Sequence, residues 1–348
     1  MSVLKGRWEK AAEAYATGEH KSGRDLELVV TFADPAGYER VLDIGAGAGH
    51  TALALAPYVQ SVIVTDPVEE MLAAARRVFA KVGIRNAEFL QTSAERLPFS
   101  DASFEIVTSR LAAHHFDDVA LAFREVARVL RHGGRYVFVD TLAPQDAESA
   151  QFQQEIEGLR DPTHRRIHSQ EEWIAICEVA GLHVEQVDVV EKAHPFDDWL
   201  DRGGEDESTR QRVRERFLTA PATAVRDLGI VVADGRVASF TDRKVVLRAR
   251  RRLVAEHFSA PRPNLIESDT GFSAEVMGRT GIRYREGARS VLVDAEVLTK
   301  RGIALWSRSI KQWEPPHQAD RLEAADRVRI LENLRRAFAS QGELLDIS

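Results

Sequence analysis

Short runs of aliphatic and β-branched residues alternate along this chain with longer stretches of helical period. Val41-Leu42-Asp43-Ile44 reads as a buried strand, and residues 61–66, 88–91, 104–109 and 135–140 read as four more. Between them, residues 50–57, 69–82 and 118–130 repeat apolar positions at three and four residues, the period of an amphipathic helix. Strands and helices alternating at this spacing predict a doubly wound parallel sheet with helices on both faces. Residues 145–161 carry Phe152, Ile156 and Leu159 at helical spacing in a polar segment that can cap a pocket. Ser169 is placed to cap a helix over 170–180. Residues 183–190 alternate as a sixth strand, 196–217 are charged and mostly helical, and 244–249, with the preceding FTDRK, complete the sheet as a seventh. At the start, 7–29 predict one or two amphipathic helices, with Trp8, Ala11, Ala12 and Tyr15 on one face.

The pattern changes near residue 252. SAPRPN at 259–264 reads as a linker, and strands are predicted over 281–285, 290–294 and 303–306. A strongly periodic helix follows over 320–340, then an edge strand over 344–347. The expected organisation is a large α/β domain over 1–252, a linker or connecting helix over 253–278, and a small α+β accessory domain over 279–348. Four arginines among residues 248–252 read as a solvated strand-to-helix junction rather than a nucleic-acid patch, because no aromatics interleave them.

Composition narrows the function classes. Lys plus Arg total 47 against 54 Asp plus Glu, a formal charge of -7 with mixed signs, so no broadly basic nucleic-acid surface is expected. The single cysteine, Cys177, excludes an intrachain disulfide framework and a cysteine-based zinc cluster. No apolar signal core opens the chain, and nowhere do eighteen apolar residues run together, so a soluble cytoplasmic protein without membrane insertion is expected.

The candidate chemistry begins where the first strand breaks at Gly45, Gly47 and Gly49. A strand, a glycine turn and a helix make a cradle for a nucleotide-like ligand. Asp66, at the end of the second strand and seventeen residues beyond Gly49, is placed to accept hydrogen bonds from both hydroxyls of a ribose, with Pro67 after it. Asp43 either holds the glycine loop by accepting backbone N–H bonds or faces a charged end of the ligand. The glycines stand at offsets 1, 3 and 5 where a dinucleotide fingerprint needs 1, 3 and 6, and no lysine follows to neutralise phosphates. An acid beside the turn repels a pyrophosphate and welcomes a sulfonium or amino group. The balance favours S-adenosyl-L-methionine over a nicotinamide cofactor.

Here the sequence resembles a known family. Residues 1 to about 251 look like the class I S-adenosylmethionine-dependent methyltransferases, particularly the ubiquinone/menaquinone biosynthesis C-methyltransferase branch. VLDIGAGAG, TSAERLPFSDASFEIVTSRLAAHHF and REVARVLRHGGRYVFVD carry the resemblance, in that order. It implies a Rossmann-like seven-stranded sheet, a methionine moiety wrapped by Gly45, Ala46, Gly47 and Gly49, and a ribose held by Asp66. It places Ser93, where the family usually has an acid, with Ala94 and Glu95 at the adenine, Leu97 and Phe99 closing over it, and Ser109 in the turn after strand four. Residues 279–348 resemble the small domain of predicted bacterial immunity proteins, on GIRYREGARSVLVDAE, ALWSRSIKQWEPPH and DRVRILENLRRAF. There Tyr284, Trp306 and Trp313 are either interface anchors or the core of so small a unit.

Methyl transfer needs an aligned nucleophile and, for some acceptors, a base. His114 or His115, at the pocket edge after strand four, can be that base, or polar surface. Arg110 can hold an anionic or carbonyl-bearing substrate, or form a plain salt bridge. Tyr15 can close the cofactor site or pack in a core. His164 and His168 fall in the expected lid, and no third ligand accompanies them, so no metal site is expected. The leading expectation is methyl transfer to a small-molecule acceptor. The alternatives are an immunity or adaptor-type binding protein whose cofactor fold is structural or regulatory, and a nicotinamide-dependent oxidoreductase. A protein partner through the C-terminal part and a homodimer stay open.

Overall fold

The computed structural model describes residues 22–201, 206–251, 257–298 and 302–347, without the side chains at 324–325. Tyr15 and the predicted helix around it lie outside the described residues. The chain divides into two units, Met1–Arg252 and Leu253–Ser348.

In the first unit, α1 (Arg24–Ala33) leads into β1 (Arg40–Ile44), α2 (His50–Leu55), β2 (Ser61–Asp66), α3 (Glu69–Val82), β3 (Ala87–Gln91), β4 (Phe104–Arg110), α4 (Val119–Val129) and β5 (Leu130–Thr141). Then come α5 (Ala147–Arg160), α6 (Gln170–Val179), β6 (Leu182–Pro195), α7 (Phe196–Asp201), α8 (Glu207–Leu218), α9 (Ala222–Asp227), β7 (Val231–Ala233) and β8 (Arg236–Arg251). Seven strands follow the order β3-β2-β1-β4-β5-β8-β6, and the short β7 pairs with β8. β1 to β5 pair in parallel, and β8 runs antiparallel to both its neighbours. Chain order reverses between β1 and β4, which opens a crevice at the carboxyl ends of these strands.

Strand residues alternate between two apolar cores. Leu42, Ile44, Val107, Phe138 and Leu247 meet Phe123 and Trp173 on one face. Val41, Val62, Val64, Ile106, Val139 and Val246 meet Phe32 and Phe79 on the other. The helix ends obey local chemistry: Gly83 stops α3 in the left-handed region, and Ser169 and Glu172 form a reciprocal capping box at α6.

β6 and β8 are longer than the pattern predicted. β5 pairs with β8 only from Lys244 to Arg250, whereas β6 stays paired with β8 as far as Pro195 and Ser239. The extra length carries the hairpin past the carboxyl edge of β5. A third apolar cluster packs there, with Phe152 and Ile156 of α5, Phe196 and Trp199 of α7, Val213 and Phe217 of α8, and Phe240 of β8. The described part of the arginine run, through Arg251, is strand and not junction: Arg248 and Arg250 pair with Glu185 of β6, and Arg251 donates to the Leu130 carbonyl.

The second unit is a meander of β9 (Phe258–Arg262), β10 (Leu265–Ser268), β11 (Phe272–Val276), β12 (Gly281–Glu286), β13 (Arg289–Val297) and β14 (Ile303–Leu305). β15 (Leu345–Ile347) adds in parallel to β14, and α10 (Ala324–Ser340) shares a core with the sheet. The expected linker or connecting helix over 253–278 is therefore corrected, because three strands occupy 258–276. Pro261 and Pro263 disguised them; Pro261 lies in β9, an edge strand, the place in a sheet where proline is tolerated. Tyr284 and Trp313 are core residues, and Tyr284 Oη accepts from Asn333 Nδ2 at 2.6 Å. Trp306 remains exposed.

Candidate active site

The turn after β1 is built on backbone bonds. Ala46 N–H donates to the Thr65 carbonyl at 2.9 Å and Gly49 N–H to Ala46 at 2.8 Å. Gly45 has φ +62°, and a Cβ there would lie 2.6 Å from Cβ of Ala112. Gly49 is needed elsewhere: its added Cβ would crowd Phe79 and Ala75 of α3, and it lines no chamber of the site. The absence of a Cβ there serves helix packing.

Asp66 closes the turn from the side. One carboxylate oxygen accepts Gly47 N–H and the other accepts Val68 N–H, each at 2.9 Å. Burial pushes this carboxyl up to about 6. Asp43 is placed differently from the ligand-facing alternative. Its oxygens accept Ala52 N–H at 3.1 Å and the Thr108 hydroxyl at 2.7 Å, both buried, and it lines neither chamber. It ties β1 to α2 and β4 beneath the loop, and burial raises its carboxyl to about 7.

Two chambers open on the turn and share Gly45, Gly47, Leu111 and His115 as walls. The outer one encloses about 400 Å³. Asp66, Pro67, Val68, Met71, Ser93, Ala94 and Glu95 line it, together with Ala112 and Phe116. Glu95 accepts Asp117 N–H at 3.0 Å, so it ties segment 93–95 to segment 111–117. Leu97 and Phe99 line neither chamber; both belong to the core, where Phe99 meets Phe104 edge-on. The Ser109 side chain likewise lines neither chamber. Alternation along β4 sends Thr108 to Asp43 and Arg110 to the inner chamber, and turns Ser109 into the core beside Tyr136.

The inner chamber encloses about 130 Å³ between Ala46, Thr51, Arg110, His114 and Thr141 on the sheet side and Glu157, Arg160, Asp161 and His164 on the α5 side. His194, Trp199, Asp242 and Lys244, from the β6–β8 extension and α7, complete it. Arg110 is less free than a substrate clamp requires: its guanidinium donates to Asp25 at 2.6 Å and to Thr51 Oγ1 at 3.1 Å, anchoring α1 to β4.

His114 stands at the centre of the titratable groups. Its Nδ1 lies 2.5 Å from Asp140 Oδ1, and its backbone N–H donates to the other oxygen at 3.1 Å. Burial opposes charge on His114, but Asp140, Glu157 and Asp161 outweigh it and raise its pKa above the ordinary 6.5. The rings of His115 and His164 lie 4.1 and 5.2 Å away. Burial and the neighbouring His114 push His115 down to about 3 and His164 to about 4. Of the three, His114 is the imidazole whose protonated form the fold favours. Asp140, Thr163 at 3.0 Å from His115 Nδ1, and the Asp242 group went unseen in the sequence; an acid ending strand five was the one available signal.

A parallel sheet with β8 antiparallel, a glycine turn at the switch point and an acid ending β2 define a methyltransferase of the Rossmann-like class. Comparison with known proteins agrees. The methyltransferase domain family model matches residues 42–138. The uncharacterized methyltransferase YcgJ of Bacillus subtilis is 38% identical over 248 residues, 70% of this chain and 98% of that protein. Its crystal structure has a TM-score of 0.64 and covers 66% of this chain and 98% of that one. A Bacillus halodurans protein of solved structure is 35% identical, also at TM-score 0.64, over 66% of this chain and all of that one. The demethylmenaquinone methyltransferase of Chlorobaculum tepidum is 33% identical over 109 residues, only 43% of that enzyme and 31% of this chain. The Immunity protein 74 model matches residues 276–347. The chain belongs to the class I S-adenosylmethionine-dependent methyltransferases, and S-adenosyl-L-methionine is its cofactor. Among the described residues, no helix is long and apolar enough to cross a membrane.

Proposed function

We propose that the chain transfers a methyl group from S-adenosylmethionine to a small-molecule acceptor bound in the inner chamber, with His114 as the base. The observation that carries this is the 2.5 Å contact of His114 with buried Asp140, on the wall of the chamber that adjoins the glycine turn. The outer chamber fits the nucleoside. Each Asp66 oxygen accepts one backbone N–H, which leaves lone pairs for ribose hydroxyls. Val68, Met71 and Phe116 offer an apolar slot for a planar base, with the Ser93 hydroxyl, Ala94 and Glu95 at its rim. Gly45, Ala46 and Gly47 hold the methionine moiety at the junction of the chambers.

When bound, the cofactor supplies an electrophilic methyl group on a sulfonium. The chain's own part is alignment and proton removal. With Nδ1 engaged by Asp140, Nε2 of His114 is the nitrogen left for the acceptor's proton, and the carboxylate stabilises the imidazolium that results. Because the base must be neutral to act, and Asp140 raises its pKa, transfer rises with pH through a value above 6.5. Calorimetric titration with S-adenosylmethionine and with NAD, followed by transfer of labelled methyl into a small-molecule extract, tests the reading. Tight binding of the first alone is expected; no binding of it would sink the proposal.

A second role, protein binding by residues 276–347, rests on the Immunity protein 74 match. Its test is a protein that co-purifies with the full chain and is lost from a chain ending at residue 252.

A further inference from the structure

The inner chamber has a wall that proton removal by His114 does not use. β8 places Asp242 and Lys244 two residues apart, so both side chains leave one face of the strand, and both line the chamber. Lys244 is only 4% exposed. Its ammonium makes one hydrogen bond among the described residues, to Asp242 Oδ2 at 3.3 Å. The same carboxylate also faces Nε2 of His194 at 3.1 Å, so one acid serves two basic side chains. The His194–Asp242 contact adds a side-chain link to the β6–β8 ladder. Lys244, whose partner stands two residues away on its own strand, adds nothing to that link. An ammonium has three donors, and a buried one with a single long partner keeps two for whatever fills the chamber.

The rest of the described wall is mixed. Thr51, Thr141, Glu157, Arg160 and Asp161 line the chamber as polar groups, and Leu111 and Trp199 are its larger apolar side chains. A space of about 130 Å³ is too small to enclose a long hydrocarbon tail.

We propose that Lys244 anchors the methyl acceptor through an anionic oxygen, a carboxylate or an ionised hydroxyl. The acceptor is then a small polar molecule and not a long-tailed quinol. This inference rests on the reading of the inner chamber as the acceptor site. It assigns to Lys244 the fixing of the acceptor, and to His114 the proton.

The test uses the full chain saturated with S-adenosylhomocysteine and four probes: 4-nitrophenol, benzoate, neutral nitrobenzene, and decylubiquinol. At least one anion should bind about tenfold or more tighter than nitrobenzene, and which anion does so names the oxygen's source. Lys244→Met should erase that preference while leaving S-adenosylhomocysteine affinity unchanged, and Lys244→Arg should keep part of it. If the hydroxyl is preferred, bound 4-nitrophenol should show its phenolate absorption with the wild type and not with Lys244→Met. Equal affinity for anions and nitrobenzene, tighter binding of decylubiquinol, or a preference that survives Lys244→Met would each overturn the assignment. If Lys244→Met does not fold, the wild-type comparison and Lys244→Arg decide alone. A wild type that fails to bind S-adenosylhomocysteine would instead overturn the cofactor reading, a distinguishable result.

Discussion

The two chambers share a wall and are made in opposite ways. The outer chamber is assembled from three short segments, 45–47, 66–71 and 93–95, each lying just beyond a strand of the parallel sheet, with 111–117 facing them. Backbone does much of its work, since both Asp66 oxygens are met by main-chain N–H groups. The inner chamber draws on residues from 45 to 244, brought together by the overhang of β6 and β8 and by α5 packed upon it. A cofactor common to a whole family can be held by a local motif. An acceptor is held by side chains that differ from member to member, on the parts of the fold that are free to vary.

If that division is right, removing the base should spare the outer chamber and stop the chemistry. His114→Ala is expected to lower methyl transfer by about 10² to 10⁴-fold, the usual worth of a positioned base. S-adenosylmethionine affinity, measured by calorimetry, should stay within about threefold, because His114 lines only the inner chamber. An equal loss of binding and turnover would merge the two chambers into one site.

Asp66→Ala attacks from the other side. Loss of a charged hydrogen bond costs roughly 1.5 to 3 kcal/mol, so cofactor affinity should fall by about ten- to 150-fold. Turnover at saturating cofactor should change far less. Unchanged affinity would remove Asp66 from the site.

Asp140→Asn sharpens the role of the base. Without the carboxylate, the largest cause raising the His114 pKa is gone and burial opposes its charge, so the rising limb of the rate profile should move toward acid. The maximum rate should also fall, since an amide does not stabilise an imidazolium. A limb that stays in place would show that some other group sets it. The same pair bears on stability. His114, raised in the fold, contributes fully below its unfolded value near 6.5, and that contribution is lost as pH rises through the folded value. Asp140, lowered in the fold, contributes above its unfolded value near 3.8 and loses this as pH falls through the folded one.

What the sequence shows follows the same division. β1, the glycine turn, β2 and Asp66 are legible because strand, turn and acid are consecutive and their periodicity changes at each boundary. The extension of β6 and β8 is legible only at FTDRK, because residues 191–195 and 236–239 carry few apolar positions and the cluster that Val237 and Phe240 join is supplied by helices remote in sequence. The expected linker hides three strands for a different reason, the prolines of an edge. Asp43 is the most instructive residue. An acid in an apolar strand beside a glycine turn can hold the loop or face a ligand, and the structure favours the first: its partners are the N–H of Ala52, nine residues on, and Thr108, on a strand that only the fold brings alongside.

Asp43→Asn therefore gives the smallest and most discriminating effect. The amide can accept from Ala52 N–H and donate to Thr108 Oγ1, so both buried bonds survive the change. The folded carboxyl is raised to about 7 from an ordinary 3.8, which means that the folded chain holds this proton more tightly than the unfolded one. Its contribution to stability is then fully present below about pH 4, declines as pH rises toward about 7, and is flat beyond. The asparagine variant carries no such proton. Thermal unfolding should place it at or above the wild type at pH 8, with the gap closing as pH falls to 5. Cofactor affinity should change by less than about threefold, as expected of a residue outside both chambers. A large loss of S-adenosylmethionine binding with intact stability would return Asp43 to the ligand, and the charge beneath the glycine turn would belong to the cofactor site after all.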